Sequence, residues 1–223
     1  MVYDFHTHTL LSDGYLSPIE LIRRALVRDY KAIALTDHVG IGYLDRIIRE
    51  VTADCALARA HWDIIAIPGV ELTHIPPQAI DEAARRAKEL GAWLVVVHGE
   101  SIIEPVEQGT NIAALQCPYV DILAHPGLIT LEEAEIAAAK GTFLEITARK
   151  GHSLTNGHVA QLARLAGAKL LLNSDAHDEA DLVTPNLARK IAQGAGLNEK
   201  EITEVLADNA HALLKRLSLP YQG

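Results

Sequence analysis

The sequence of 223 residues predicts an α/β fold with a parallel sheet, read as a βα barrel in preference to a doubly wound sheet. Three observations carry this. Short apolar runs recur seven times and alternate with helical patterns. The runs end near His6, His38, Glu71, His98, His125, Glu145 and Asp175, which lie 32, 33, 27, 27, 20 and 30 positions apart, one βα unit each. No GxGxxG or phosphate-loop glycine motif follows the first run, so a nucleotide-binding doubly wound sheet loses its main support.

The expected strands are VYDF (2–5), AIALT (32–36), DIIAIPGV (63–70), WLVVV (93–97), YVDILA (119–124), TFLEI (142–146) and KLLLN (169–173). They are branched and do not alternate with polar residues, the pattern of strands covered on both faces. Between them, Leu44, Ile47, Ile48, Val51 and Cys55 keep the three-four spacing of a helix stripe turned to the core. Ser17-Pro18 and Thr184-Pro185 read as N-caps followed by proline in the first turn. Gly91, Gly141 and Gly167 read as helix ends. Two further helices, near 185–193 and 199–216, are expected to pack outside the barrel. No linker interrupts the chain, so residues 1–223 read as one domain, with about 185–223 as C-terminal helices packed on the barrel.

Composition narrows the function. Hydrophobic residues are 49% but aromatics only 4%, so the core is aliphatic and alanine-rich, and 22% charged residues argue against disorder. With 20 Lys+Arg against 29 Asp+Glu the net charge is −9, which disfavours a long nucleic acid as partner. No apolar run approaches the roughly 20 residues of a membrane span. The N-terminal MVYDFHTHTLLSDG lacks the zones of a signal peptide, so a cytoplasmic location is expected. Two cysteines, Cys55 and Cys117, make no disulfide framework.

Histidine is the outlier, with 11 residues. Six of them (His6, His8, His38, His98, His125, His177) stand at strand ends of one polarity, where a barrel builds its active site. Residues i and i+2 of a strand point to the same side, so His6 pairs with His8 and Asp175 with His177. Imidazoles suit zinc, iron or manganese, and carboxylates add hard oxygen donors. Glu71 has two oxygens and can bridge two ions. The donors outnumber what one tetrahedral ion needs, which points to a multinuclear site.

HTHTLLSDG, LTDH, GVE, VHGE, AHPG and SDAH, in that order, resemble the motifs of the PHP (polymerase and histidinol phosphatase) superfamily. The matches run from residue 4 to residue 177. The resemblance implies a distorted seven-stranded (β/α)7 TIM-like barrel with three divalent metal ions at its strand ends. It gives the first ion His6, His8, Glu71 and Asp175, the second Glu71, His98 and His125, and the third Asp13, His38 and His177. Some relatives have histidine at the place of Asp13, and the carboxylate shifts that position from zinc toward manganese or iron. TARKGHSLTNGH (147–158) resembles stand-alone members described as histidinol-phosphatase-like. The implied activity is hydrolysis of a small phosphomonoester, histidinol phosphate first, by a metal-bound hydroxide, with Asp175 or His177 carrying the proton.

Arg149 and Lys150 follow the sixth strand and are expected to clamp the phosphate, with His152 touching substrate. Asp37 and Glu145 are expected to support ligand histidines without binding metal. His74 and His158 lie near the same rim, and His61 and His211 read as surface residues. Two rivals keep the metals: a nucleotidase, cyclic-phosphate hydrolase or oligonucleotide exonuclease, and an amidohydrolase-type barrel. The second needs a bridging lysine after the fourth strand, where WLVVVHGE has none. A third rival, a non-catalytic scaffold, fits poorly with a full ligand set.

Overall fold

The computed structural model describes residues 1–217; the part of the expected C-terminal segment from 218 to 223 lies outside the described residues. Strands β1 (Val2–Asp4), β2 (Tyr30–Leu35), β3 (His38–Val39), β4 (Ile65–Leu72), β5 (Leu94–His98), β6 (Ile122–Ala124), β7 (Phe143–Thr147) and β8 (Leu170–Asn173) form one parallel sheet. Its order is β1-β2-β4-β5-β6-β7-β8, and β3 pairs with β4. β2 and β3 make one stave, broken at Thr36-Asp37. There the Thr36 amide donates to Thr7 O at 2.9 Å and Asp37 O accepts from the Glu71 amide at 3.1 Å. The stave thus leans first on the chain beyond β1 and then on β4.

Between β1 and β8 the ring closes past the strand ends, where Thr7 pairs with Ala176. The His8 amide donates to Ala176 O at 2.8 Å and the Asp175 amide to His6 O at 3.0 Å. The result is a distorted (β/α)7 barrel whose seam is sewn by the segments that carry the expected ligands.

Helices α1 (Pro18–Val27), α2 (Leu44–His61), α3 (Ile80–Glu89), α4 (Thr110–Gln116), α5 (Leu131–Lys140) and α6 (Asn156–Ala166) alternate with the strands. α7 (Pro185–Gly194), α8 (Glu199–Thr203) and α9 (Asn209–Leu217) follow, with a π-helical turn over Glu204–Asp208. The α2 stripe is buried as expected, from Leu44 to Cys55 and on to Ala58. Thr184 caps α7 by accepting from the Leu187 amide. Ser17 makes no such bond, so α1 starts on Pro18 alone.

The core has two layers. One lies between the sheet and the helices. The other fills the barrel with Phe5, Ala32, Ala34, Ile67, Leu94, Val96, Ile122, Phe143 and Leu171, and Ala210 and Leu213 of α9 join it. The last helix therefore packs across the end of the barrel opposite the strands' carboxyl ends and plugs it with these two side chains. The reason is polar as well as apolar. Arg216 donates to Gly141 O at 2.9 Å and to Asp121 Oδ1 at 3.0 Å, and Asn209 donates to Leu170 O at 2.9 Å, all at strand beginnings. Among the described residues no helix is long and apolar enough to cross a membrane.

Candidate metal centre

The open end of the barrel collects the strand ends. Two glycines let the loops after β5 and β6 approach. A Cβ at Gly99 would strike Ala124 O, and one at Gly127 (φ 64°) would strike Glu100 O. His98 and His125 consequently stand with ring centroids 4.5 Å apart. His125 and Asp175 adopt φ of 25° and 53°, a strained backbone for side chains that carry chemistry.

At the centre, His6, His8, Glu71, His125 and Asp175 are buried. His6 Nε2 lies 3.3 Å from Glu71 Oε1, His8 Nε2 3.2 Å from Asp175 Oδ1, and His125 Nε2 3.7 Å from both Glu71 Oε1 and Asp175 Oδ2. These approaches are not aligned as hydrogen bonds. Among the described residues, seven buried side-chain polar atoms lack a hydrogen-bond partner, and five of them are here: His6 Nε2, both His8 nitrogens, Glu71 Oε1 and His125 Nδ1. Buried polar atoms are rarely left unpaired, because each costs about 1–3 kcal/mol. Imidazole and carboxylate lone pairs that converge without bonding one another fit divalent cations.

Donor atoms mutually within 4.8 Å form four overlapping groups: His6, His8 and Asp175; His6, Glu71 and His125; His98, His125 and His152; and His8, Asp13, His38 and His177. The first two contain all of the set expected for the first ion, and the fourth contains all of that for the third. The pair expected for the second, His98 and His125, is grouped with His152, and Glu71 with His6 and His125. In the fourth group His177 Nε2 lies 3.2 Å and His38 Nε2 3.7 Å from Asp13 Oδ1.

Partners outside this cage orient several ligands. His6 Nδ1 meets Glu145 Oε1 at 2.8 Å, His38 Nδ1 meets Thr73 Oγ1 at 2.7 Å as well as Glu71 Oε2 of the cage at 2.6 Å, and His98 and His177 use backbone carbonyls. Such contacts fix the ring and leave Nε2 for the ion. Burial first, then His38, holds the His8 imidazole well below its ordinary range, and burial with His98 does the same for His125. Both therefore present the neutral form that ligates. Burial also lowers His6, but Glu145, Glu71 and Asp175 outweigh it and raise that ring. Burial pushes the Glu71 carboxyl up, yet His6 and His38 bring it well below the usual range, so it stays an anion.

The remaining expected residues are placed as follows. Glu145 is buried; its Oε2 accepts from the His125 amide at 3.0 Å. Asp37 was expected to support a ligand histidine; its carboxylate instead takes the Thr9 amide at 2.7 Å and the Ser12 hydroxyl at 2.7 Å. It pins the loop that leads to Asp13, one step further from the ligands. Arg149 pairs with Asp181 at 3.4 Å beside the His177 loop, Lys150 is exposed, and His152 is buried. His74 is exposed, 3.8 Å from Glu104. His158 Nε2 donates to Ile129 O at 2.7 Å and so belongs to the framework.

No protein-family model matches the chain. It is 49% identical over 218 residues to an uncharacterized protein of Methanocaldococcus jannaschii, covering 97% of this chain and all of that one. It is 29% identical to a probable phosphatase of Thermoanaerobacter sp., over 89% of this chain and 88% of that one. It is 26% identical to the DNA polymerase/3'-5' exonuclease PolX of Bacillus subtilis, over 78% of this chain and 34% of that one. The chain belongs to the PHP superfamily. Solved structures share the fold at 15% identity. One is a chain of archaeal ribonuclease P with mature tRNA (TM-score 0.72, 96% of this chain and 90% of that one). Another is the histidinol phosphate phosphatase of Lactococcus lactis complexed with zinc, L-histidinol and phosphate (TM-score 0.59, 98% and 94%).

Within this PHP barrel the sequence reading passed over two residues. Glu104 reaches to 3.1 Å from His98 Nε2 and 3.3 Å from His152 Nε2. Ser101 Oγ lies 2.6 Å from His152 Nδ1. Both stand in the loop after β5, in SIIEPVEQG, where no periodicity or motif marks them.

Proposed function

We propose that this protein is a metal-dependent phosphoesterase that hydrolyses a small phosphomonoester, with histidinol phosphate the first substrate to test. The observation that carries the reading is the set of buried side chains with unpaired donor atoms, His6, His8, Glu71 and His125, gathered beside Asp175. His6, His8, Asp13, His38, Glu71, His98, His125, Asp175 and His177 would hold three ions, of zinc, manganese or iron. When bound, divalent ions supply Lewis-acid polarisation of a phosphoryl oxygen and a lowered pKa for the attacking water.

The chain's own groups divide the remaining work. Asp175 Oδ1 lies 3.5 Å from His177 Nδ1, and one of this pair would carry the proton. Arg149, steadied by Asp181, offers a guanidinium to phosphate oxygens at the edge of the cage, with Lys150 outside it. Three ions bring about +6 against the three carboxylates of Asp13, Glu71 and Asp175, so a small dianion is drawn inward. The chain's net charge of −9 opposes long polyanions.

The test is a panel of histidinol phosphate, nucleoside monophosphates, cyclic nucleotides and short oligonucleotides, assayed after loading with Zn²⁺, Mn²⁺ or Fe²⁺. Turnover of a phosphomonoester, abolished by chelation, supports the proposal; no turnover of any phosphate ester overturns it. His8→Ala and Asp175→Asn should each reduce kcat by a factor of about 10³ or more, since each removes a donor from the cage. Their melting curves should stay cooperative. A second reading, an oligonucleotide exonuclease, is favoured by the likeness to PolX. Preference for oligonucleotide ends over monoesters in the same panel would select it.

A further inference from the structure

His152, expected from the sequence to touch substrate, shares the features of the oriented ligand histidines. It is buried at the end of the loop after β7, in the turn His152–Thr155. Its Nδ1 is anchored by Ser101 Oγ at 2.6 Å, which leaves Nε2 as the nitrogen available to an ion. Its ring stacks on His125 at 4.1 Å and meets His98 edge-on at 5.7 Å. Donor nitrogens of His98, His125 and His152 lie mutually within 4.8 Å. A carboxylate faces this trio, with Glu104 Oε2 3.1 Å from His98 Nε2 and Oε1 3.3 Å from His152 Nε2. Donors bonded at 2.0–2.2 Å to one tetrahedral ion stand roughly 3.3–3.5 Å apart, close to these nitrogen-to-oxygen spacings.

Two features speak against His152 as a simple substrate contact. Its Nε2 faces the Glu104 carboxylate at 3.3 Å, and its exposure is only 6%. Glu104 is partly exposed on a loop, so it can close the position yet yield to an incoming anion.

We infer that His152 and Glu104 are metal ligands, and that with His98 and His125 they complete a position of three imidazoles and one carboxylate. This rests on the reading of the cage as a divalent-cation site, but not on which ester it hydrolyses.

The test uses the full chain, stripped with chelator and reloaded with Zn²⁺ or Co²⁺. Bound metal is counted by elemental analysis, affinity is read by competition with a chromophoric chelator, and the Co²⁺ visible spectrum reports the donor set. His152→Ala should remove one cation per chain or weaken one site on the order of a hundredfold or more. Glu104→Gln, at an exposed loop position that leaves packing intact, should weaken the same site and change the same Co²⁺ bands. Unchanged stoichiometry, affinity and spectrum in Glu104→Gln and in folded His152→Ala would overturn the inference, and a raised KM in that case would make His152 a substrate contact. If the wild type binds three cations, loses one in these variants, and yet hydrolyses no ester in the panel, the ligand assignment stands and the phosphoesterase reading falls.

Discussion

Glu145 illustrates how a residue that touches no substrate can govern the cage. One oxygen accepts from His6 Nδ1 and from Asn173 Nδ2, each at 2.8 Å, and the other accepts from the His125 amide at 3.0 Å. Every neighbour of this buried carboxylate is a donor, so a carboxamide cannot replace it: either orientation turns an NH₂ toward an N–H. Glu145→Gln should therefore tilt His6 and His125 and lower metal affinity about ten- to hundredfold. It should also cost roughly 1–3 kcal/mol of stability. Chelator competition and urea denaturation read the two effects. Wild-type values in both would show that His6 is oriented without it.

At the scale of elements, glycines and helix anchors decide where the ligands point. Gly127→Ala adds a methyl group to a residue at φ 64° and drives it into Glu100 O. The strain alone costs about 1–3 kcal/mol, and relief requires the loop carrying His125 to move, so a lower melting point should come with weaker metal binding. Further out, Arg164 of α6 holds Glu201 of α8 at 2.5 Å and donates to Gly196 O at 3.0 Å. The Arg164 contact first, then the Asn198 amide, lowers the Glu201 carboxyl to about 2. A folded pKa below the unfolded one gives stability that is present above about 4.5 and lost as pH falls toward 2. The pair lies at the surface with Arg164 half exposed, so Arg164→Gln should cost less than about 1 kcal/mol at neutral pH. The difference from wild type should vanish in acid; a pH-independent difference would assign the effect to packing. Much of this level is legible in the sequence. Each apolar run stops at a donor because a buried strand must end where polar side chains are wanted, and those stops located the cage. The break at Thr36-Asp37 is not legible, since it depends on which neighbour the stave leans on. Nor is the plug: the apolar positions Ala210 and Leu213 of α9 say that a face is buried, not that it enters the barrel. Glu104 and Ser101 lie in an aperiodic loop, and only the close approach at Gly99 and Gly127 brings that loop over His98 and His152.

Across the whole molecule, the segments that follow the first and last strands meet at the cage. His6 and His8 follow β1, Asp175 and His177 follow β8, and backbone pairing between these staves is confined to the Thr7–Ala176 region. The barrel seam is thus its most thinly bonded joint, and the cations proposed for the cage would bridge it by taking ligands from both sides. An ion that binds only the folded chain stabilises it by about 2.7 kcal/mol at a hundred times its dissociation constant. For a chain of this length 1 kcal/mol corresponds to roughly 2–4 °C. Chelation should consequently lower the melting temperature by about 5–10 °C for each ion lost, and restoring the metal should return it. The position of the loss is the sharper expectation. Amide exchange should quicken first at residues 5–9 and 174–178, while the staves β4 and β5, paired over four registers from Gly69 to Leu72, keep their protection. A melting point indifferent to chelation, or a loss of protection spread evenly around the ring, would mean that the seam holds without ions and that the strand-end donors serve no such purpose.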